Sequence, residues 1–213
     1  MNRDFEFRQI LRAYRAGIIS EEAFERETAA LCANDSVGRE FIAMGQAYPS
    51  ERAAIIAILD RFRAGEANGR VAFTKWVEQC QTECIRSGLR MIAEREGYHV
   101  RVFEARLRDL GAECNAETTE AGRRLTERLS SPNISDKEKL LYLASLAPNP
   151  EEFFRPFCEF AANIKDDLET RELLDLYIQD ELSSANWLLR ACAALNGDAQ
   201  IAVSRDNSAS AFV

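Results

Sequence analysis

Apolar residues recur at intervals of three and four along most of this chain, a spacing that predicts helices rather than strands. One stripe, from about Ser50 to Gln79, runs through Ile55, Leu59 and Phe62 to Phe73 and Trp76 or Val77. A second runs from about Glu83 through Ile85, Leu89, Ile92, Phe103 and Leu107 to Leu110, where Gly111 stops it. Shorter patterns predict helices over 116–130 and 135–147, divided by Ser130-Ser131-Pro132-Asn133. Pro150 suits a helix start, and that pattern continues to about Lys165. A last long stripe over about 169–195 carries Leu174, Tyr177, Leu188, Cys192 and Leu195 before Asn196-Gly197 ends it. Ahead of these lie two short helices. Phe5–Arg15 is the first, and Ser20 caps the second, with Glu21 and Glu22 in its first turn where acids suit the helix dipole.

The expected fold is all-α. Four useful helices, paired first with second and third with fourth, fit an antiparallel four-helix bundle whose crossover holds the two shorter helices. The domain division is an N-terminal helical hairpin over 1–33, a bundle over 50–196 and a small polar tail, 198–213, expected to be disordered. The turn-rich link Ala33-Asn34-Asp35-Ser36-Val37-Gly38 and a break near Tyr48-Pro49-Ser50 separate the first two. The string Gly17-Ile18-Ile19-Ser20-Glu21-Glu22-Ala23-Phe24-Glu25 resembles the SHOCT hairpin, a small oligomerisation or docking element, and the resemblance implies a homo-oligomer.

Composition narrows the classes. Of 213 residues, 46% are apolar and 29% charged, as in ordinary soluble domains. Lys+Arg numbers 27 against 35 Asp+Glu, and the net charge of −8 argues against a nucleic-acid partner, which needs a basic surface. No apolar run approaches the roughly 20 residues of a transmembrane segment. The start, Met1-Asn2-Arg3-Asp4-Phe5-Glu6, lacks the apolar core of a secretory signal. Six cysteines (Cys32, Cys80, Cys84, Cys114, Cys158 and Cys192) form no Cys-x-x-Cys, and most fall at apolar helical positions. They read as reduced core residues of a cytoplasmic protein.

Charged residues interrupt the long stripes. Glu66 sits on the first, Glu96 and His99 on the second and Glu181 on the last, in register with their apolar neighbours. A buried carboxylate without a partner costs several kcal/mol or keeps its proton. A shared cation is the economical explanation for three such helices, and Glu96-x-x-His99 is the step by which one helix offers a metal two ligands. Glu66 and Glu96 lie thirty positions apart, symmetric about a turn near 81, so an antiparallel hairpin sets them at one height. Reflecting Glu181 through a turn near 166–167 lands on Glu152, with Glu159 the competing residue on that helix. Carboxylate with imidazole suits iron or manganese.

This set, Glu66, Glu96-x-x-His99, Glu152 and Glu181, resembles the di-iron carboxylate pattern of the ferritin-like superfamily. Ala64-Gly65-Glu66-Ala67-Asn68-Gly69 is similar to the first-ligand stretch of demethoxyubiquinone hydroxylases. Glu94-Arg95-Glu96-Gly97-Tyr98-His99 is similar to the second-helix motif of rubrerythrins, those hydroxylases and aldehyde-deformylating oxygenases. The resemblance implies a ferritin-like bundle, one or two iron or manganese ions and oxidoreductase-like activity, with Tyr177 or Tyr98 as a nearby phenol. It also implies Glu-x-x-His on the last helix, where this chain has Glu181-Leu182-Ser183-Ser184 and no second histidine. The alternative expectation is a non-catalytic helical scaffold, in which Glu96, His99 and Arg90 or Arg95 form a buried polar network.

Overall fold

Helix ends in this chain are set by side chains that accept the first free N–H groups, and the computed structural model shows such caps on most helices. It describes residues 3–33 and 40–197. Helices α1 (Arg3–Arg15) and α2 (Glu21–Ala33) form the N-terminal pair, followed by short strands β1 (Phe41–Ala43) and β2 (Gln46–Tyr48). The long helices are α3 (Glu51–Gln79), α4 (Glu83–Asp109) and α8 (Leu168–Asn196), with α5 (Glu120–Leu129), α6 (Asp136–Leu146) and α7 (Pro150–Asn163) between the last two. Ser50 accepts from the Ala53 N–H to open α3, and Ser135 and Glu138 cap α6 reciprocally. At the other ends Gly111 and Gly197 take positive φ, 65° and 83°, which stops α4 and α8 without strain.

The protein is therefore mostly helical, as its periodicity predicts. The expected tail, 198–213, lies outside the described residues, as does most of the 33–38 link. The strand pair was not expected. Phe41 faces Tyr48 across a two-residue turn in which Met44 and Gly45 both take positive φ, 51° and 73°. That is the geometry of a tight hairpin turn, and three-residue strands are too short to leave a period in the sequence. Ala43 is buried and joins the apolar cluster at the start of α3, so the packed body reaches back to the strand pair. In the N-terminal pair, Ser20 accepts from the Ala23 N–H at 3.2 Å and Tyr14 stacks on Phe24 at 4.7 Å.

Packing follows the stripes. α3 lies along α4, α5 rests on α3, and α8 meets α4, α6 and α7. α7 is only 14 residues long against 29 for α8, so it covers one stretch of that helix and α6 covers another. Two apolar clusters result. One joins Ile55, Leu59, Phe103, Phe154, Phe160 and Leu174; the other joins Trp76, Leu89, Leu129, Leu140 and Cys192, with Trp187 against it. Gly88 lets the Trp187 ring lie almost on the α4 backbone, since a Cβ there would fall 1.9 Å from the indole.

Three connections are tied by carboxylates from distant helices. Asp136 accepts from the Gln81 and Thr82 N–H groups and from the Trp76 indole, at 2.9, 2.8 and 2.7 Å. Asp60 accepts from the N–H groups of Asn115 and Ala116, and Glu51 from those of Lys165, Asp166 and Asp167. Such charge-assisted bonds supply connections with partners their own sequence lacks.

Two expectations need correction or restriction. Cys80 and Cys192 are buried, but Cys84, Cys114 and Cys158 are exposed, and none of the five is in a disulfide. The break between α3 and α4 parts Cys80 from Cys84, so the two share no helical face. Among the described residues no helix is long and apolar enough to cross a membrane.

Candidate metal centre

Between the two apolar clusters the stripes of α3, α4 and α8 converge on charge. Glu66, Glu96 and His99 are all buried, at 6%, 8% and 3% exposure. His99 Nδ1 lies 3.0 Å from Glu66 Oε2 and 3.6 Å from Glu181 Oε1. Its other nitrogen, Nε2, lies 3.2 Å from Asp180 Oδ2. The Tyr177 hydroxyl donates to Glu66 Oε1 at 2.8 Å and its ring stands edge-on to the imidazole. One ligand atom each from Glu66, His99 and Glu181 can be chosen so that all lie within 4.8 Å of one another.

Glu96 lies beside this group rather than within it. Its carboxyl occupies the space beside Gly69, where a Cβ would come within 2.3 Å of Oε2. Burial, then the charges of Glu66 and Glu181, push Glu96 well above the carboxylate range. Glu181 is pushed up to about 8 by burial and the Glu66 charge, against the pull of His99 and Arg95. Burial works against the charged imidazole. The hydrogen bonds to Glu66 and Asp180 outweigh it and hold His99 above its ordinary value. Tyr177 is raised well above the usual phenol by burial and the neighbouring carboxylates. Acceptors thus outnumber donors here, and Glu181 Oε1 is buried with no hydrogen-bond donor.

The residues present fit one cation. The two carboxylates of Glu66 and Glu181 with the His99 imidazole are a donor set for iron or manganese. The orphaned Glu181 oxygen faces the same nitrogen as Glu66. Asp180 is the partner a ligating histidine uses to orient its far nitrogen.

Structure and sequence disagree on the third-helix ligand. Glu152 is exposed, its side chain 65% accessible and paired with Arg155 at 3.5 Å, and it stays away from the centre. Its phase on α7 turns it outward. Pro150, Phe154, Phe160 and Ala161 are the buried residues of α7, and two positions from Pro150 or Phe154 is about 200° around the helix. Glu159 is exposed for the same reason. Of the two phenols, Tyr177 enters the site and Tyr98 is 54% exposed. Of the two arginines, Arg90 is exposed and Arg95 reaches α8. Sequence reasoning missed Asp180 and Gly69. Asp180 lies one residue off the α8 stripe, and Gly69 could have been suspected as a mid-helix glycine one turn from Glu66.

No family model matches this chain, and no curated protein and no solved structure matches it either.

Proposed function

We propose that this protein binds one iron or manganese ion on Glu66, Glu96, His99 and Glu181 within a ferritin-like helical bundle, and that its activity is oxidoreductase-like. The observation that carries the reading is the meeting of Glu66 and Glu181 at a single nitrogen of His99, with one Glu181 oxygen buried and lacking a donor. Asp180 would keep the Nε2 proton and leave the Nδ1 lone pair to the ion. Tyr177 holds Glu66 Oε1 and leaves Oε2 toward the imidazole. A bound iron or manganese supplies Lewis acidity and one-electron redox chemistry. With Glu152 outside the centre and serine at 184, the ligands in reach support one ion rather than two.

Metal content tests this. Protein purified without a histidine tag and reconstituted anaerobically with ferrous iron or Mn²⁺ is expected to hold close to one ion per chain by plasma mass spectrometry. Content near zero overturns the reading.

A second reading draws support from the ring of His99, both of whose nitrogens already face carboxylates. In it the cluster is a closed polar network in a helical scaffold. Glu66→Gln separates the two. At a metal site it removes binding and leaves the metal-free protein at least as stable, because a charge leaves a crowded carboxylate cluster. In a closed network it destabilises by a few kcal/mol, because His99 loses its charged partner, while Tyr177 can still donate to the amide oxygen.

A further inference from the structure

The enclosure of the centre is uneven, and its open side lies on α8. The side chains of His99 and Glu66 are 4% and 7% exposed, and Glu96 and Tyr177 are buried as well. Glu181 reaches 16%, and Asp180, the residue before it, 42%. Two consecutive carboxylates thus run from the surface inward. Asp180 Oδ2 is at the same time 3.2 Å from His99 Nε2, so one side chain touches both solvent and the buried imidazole. Glu66 and Glu181 face the other nitrogen of that ring, at 3.0 and 3.6 Å. Both helices are open beside this point. Leu176, one turn before Asp180, is 65% exposed, and Tyr98, next to His99, is 54% exposed.

We propose that Asp180 is the entry carboxylate of the centre, the group that first takes a divalent cation from solvent and passes it to Glu181 and His99. This rests on the reading of the cluster as a metal site. Stripping a small divalent ion of its water in one step is prohibitive, and replacing the waters one at a time lowers the cost. That route needs an anionic oxygen at the rim, in reach of both water and the inner ligands, and Asp180 meets both conditions. Its charge also concentrates cations at the mouth. A carboxylate that acts on the path, and not as a final ligand, changes loading and release by one factor and leaves their ratio in place. A residue whose whole task is to orient His99 does otherwise, because its loss weakens the bound state and speeds release.

The test measures both rates with Mn²⁺, loading in stopped flow with a fluorescent Mn²⁺ indicator and release with excess chelator. Asp180→Asn removes the charge and keeps an oxygen that can accept from Nε2–H. Loading and release are expected to slow together by about tenfold, with the dissociation constant within about threefold of wild type. Asp180→Glu restores the carboxylate and should return both rates to within about threefold of wild type. Asp175→Asn removes an equal charge from an exposed position of the same helix and should change either rate less than about twofold. Unchanged rates in Asp180→Asn, faster release alone, or an equal slowing in Asp175→Asn overturns the proposal. Circular dichroism checks folding, and Asp180→Ser makes the same comparison with a smaller side chain should the amide variant misfold. Wild type that takes up no Mn²⁺ at equilibrium removes the parent reading, and this inference falls with it. Wild type that binds Mn²⁺ while the Asp180 variants keep its rates overturns this inference alone.

Discussion

Asp136 and Glu96 are both buried carboxyl groups, 7% and 8% exposed, yet their surroundings drive them in opposite directions. Around Asp136, burial alone would raise the pKa, but the Trp76 indole and the N–H groups of Thr82 and Gln81 donate to it and hold it below the usual range. Around Glu96 the neighbours are Glu66 and Glu181, which add to the effect of burial and push it up. The first is an ion met by donors. The second is one of several acceptors that meet one another, an arrangement a fold maintains at a cost and that a cation would relieve. The difference separates a carboxylate met by donors, which closes a structure, from carboxylates that crowd one another.

The largest effect is expected where the donors are. Asp136→Ala strands the Gln81 and Thr82 N–H groups and the Trp76 indole, and should destabilise the protein by roughly 3–5 kcal/mol in urea unfolding. Glu181→Gln in metal-free protein should have the other sign, stabilising by about 1 kcal/mol because it relieves carboxylate repulsion. Equal losses at both positions would erase the contrast.

The pH dependence follows next. A lowered carboxyl such as Asp136 contributes stability that is present above its unfolded value and is lost as pH falls through the lower folded one. A raised carboxyl such as Glu181 does the reverse. The folded state keeps its proton, so stability declines as pH climbs from the ordinary 4.5 to about 8. Metal-free protein should therefore lose about 2 kcal/mol or more between mildly acid and mildly alkaline buffer. Glu181→Gln should flatten that limb and leave the acid limb in place. An unchanged alkaline limb in that variant would count against the crowding of the centre.

A smaller effect isolates position from charge. Gly69→Ala puts a methyl group 2.3 Å from Glu96 Oε2, so the carboxyl must move, and metal affinity should drop by about 10–100-fold in calorimetric titration. Gly65→Ala is the control. Nothing lies within 4 Å of its added Cβ, and alanine there should gain about 0.5–1 kcal/mol of helix stability without touching affinity. Smallest of all, Glu152→Gln should alter metal content not at all, since Arg155 is its partner. A loss of bound metal would return α7 to the ligand set.

Much of this organisation was legible in the sequence, and the physical reason is periodicity. The stripe from Ile85 to Leu110 marks the buried face of α4, and Glu96 and His99 are buried because they share its phase. Height within a hairpin was legible too, since each residue of two antiparallel helices advances equally. Phase failed on α7. Phe153, Phe154, Phe157 and Phe160 spread apolar residues around that helix, and no single stripe fixed which face turned inward. Asp180, Gly69 and Arg95 were not legible as parts of the centre. Their roles come from what stands opposite them on another helix, and a linear pattern does not record that.

The three carboxylates that tie the helix connections also bear on the order in which the molecule is assembled. The connection at Gln81 and Thr82 stays untied until Asp136 has been made, more than fifty residues later. Glu51 and Asp60 are made early and wait for 165–167 and 115–116. These three connections are thus not finished by the residues of their own hairpins alone. Contacts so distant in sequence slow folding and make it depend on nearly the whole chain. A nascent chain ending with α7 at Asn163 would have the connection of its first two long helices closed by Asp136, with Glu51 still without its backbone donors.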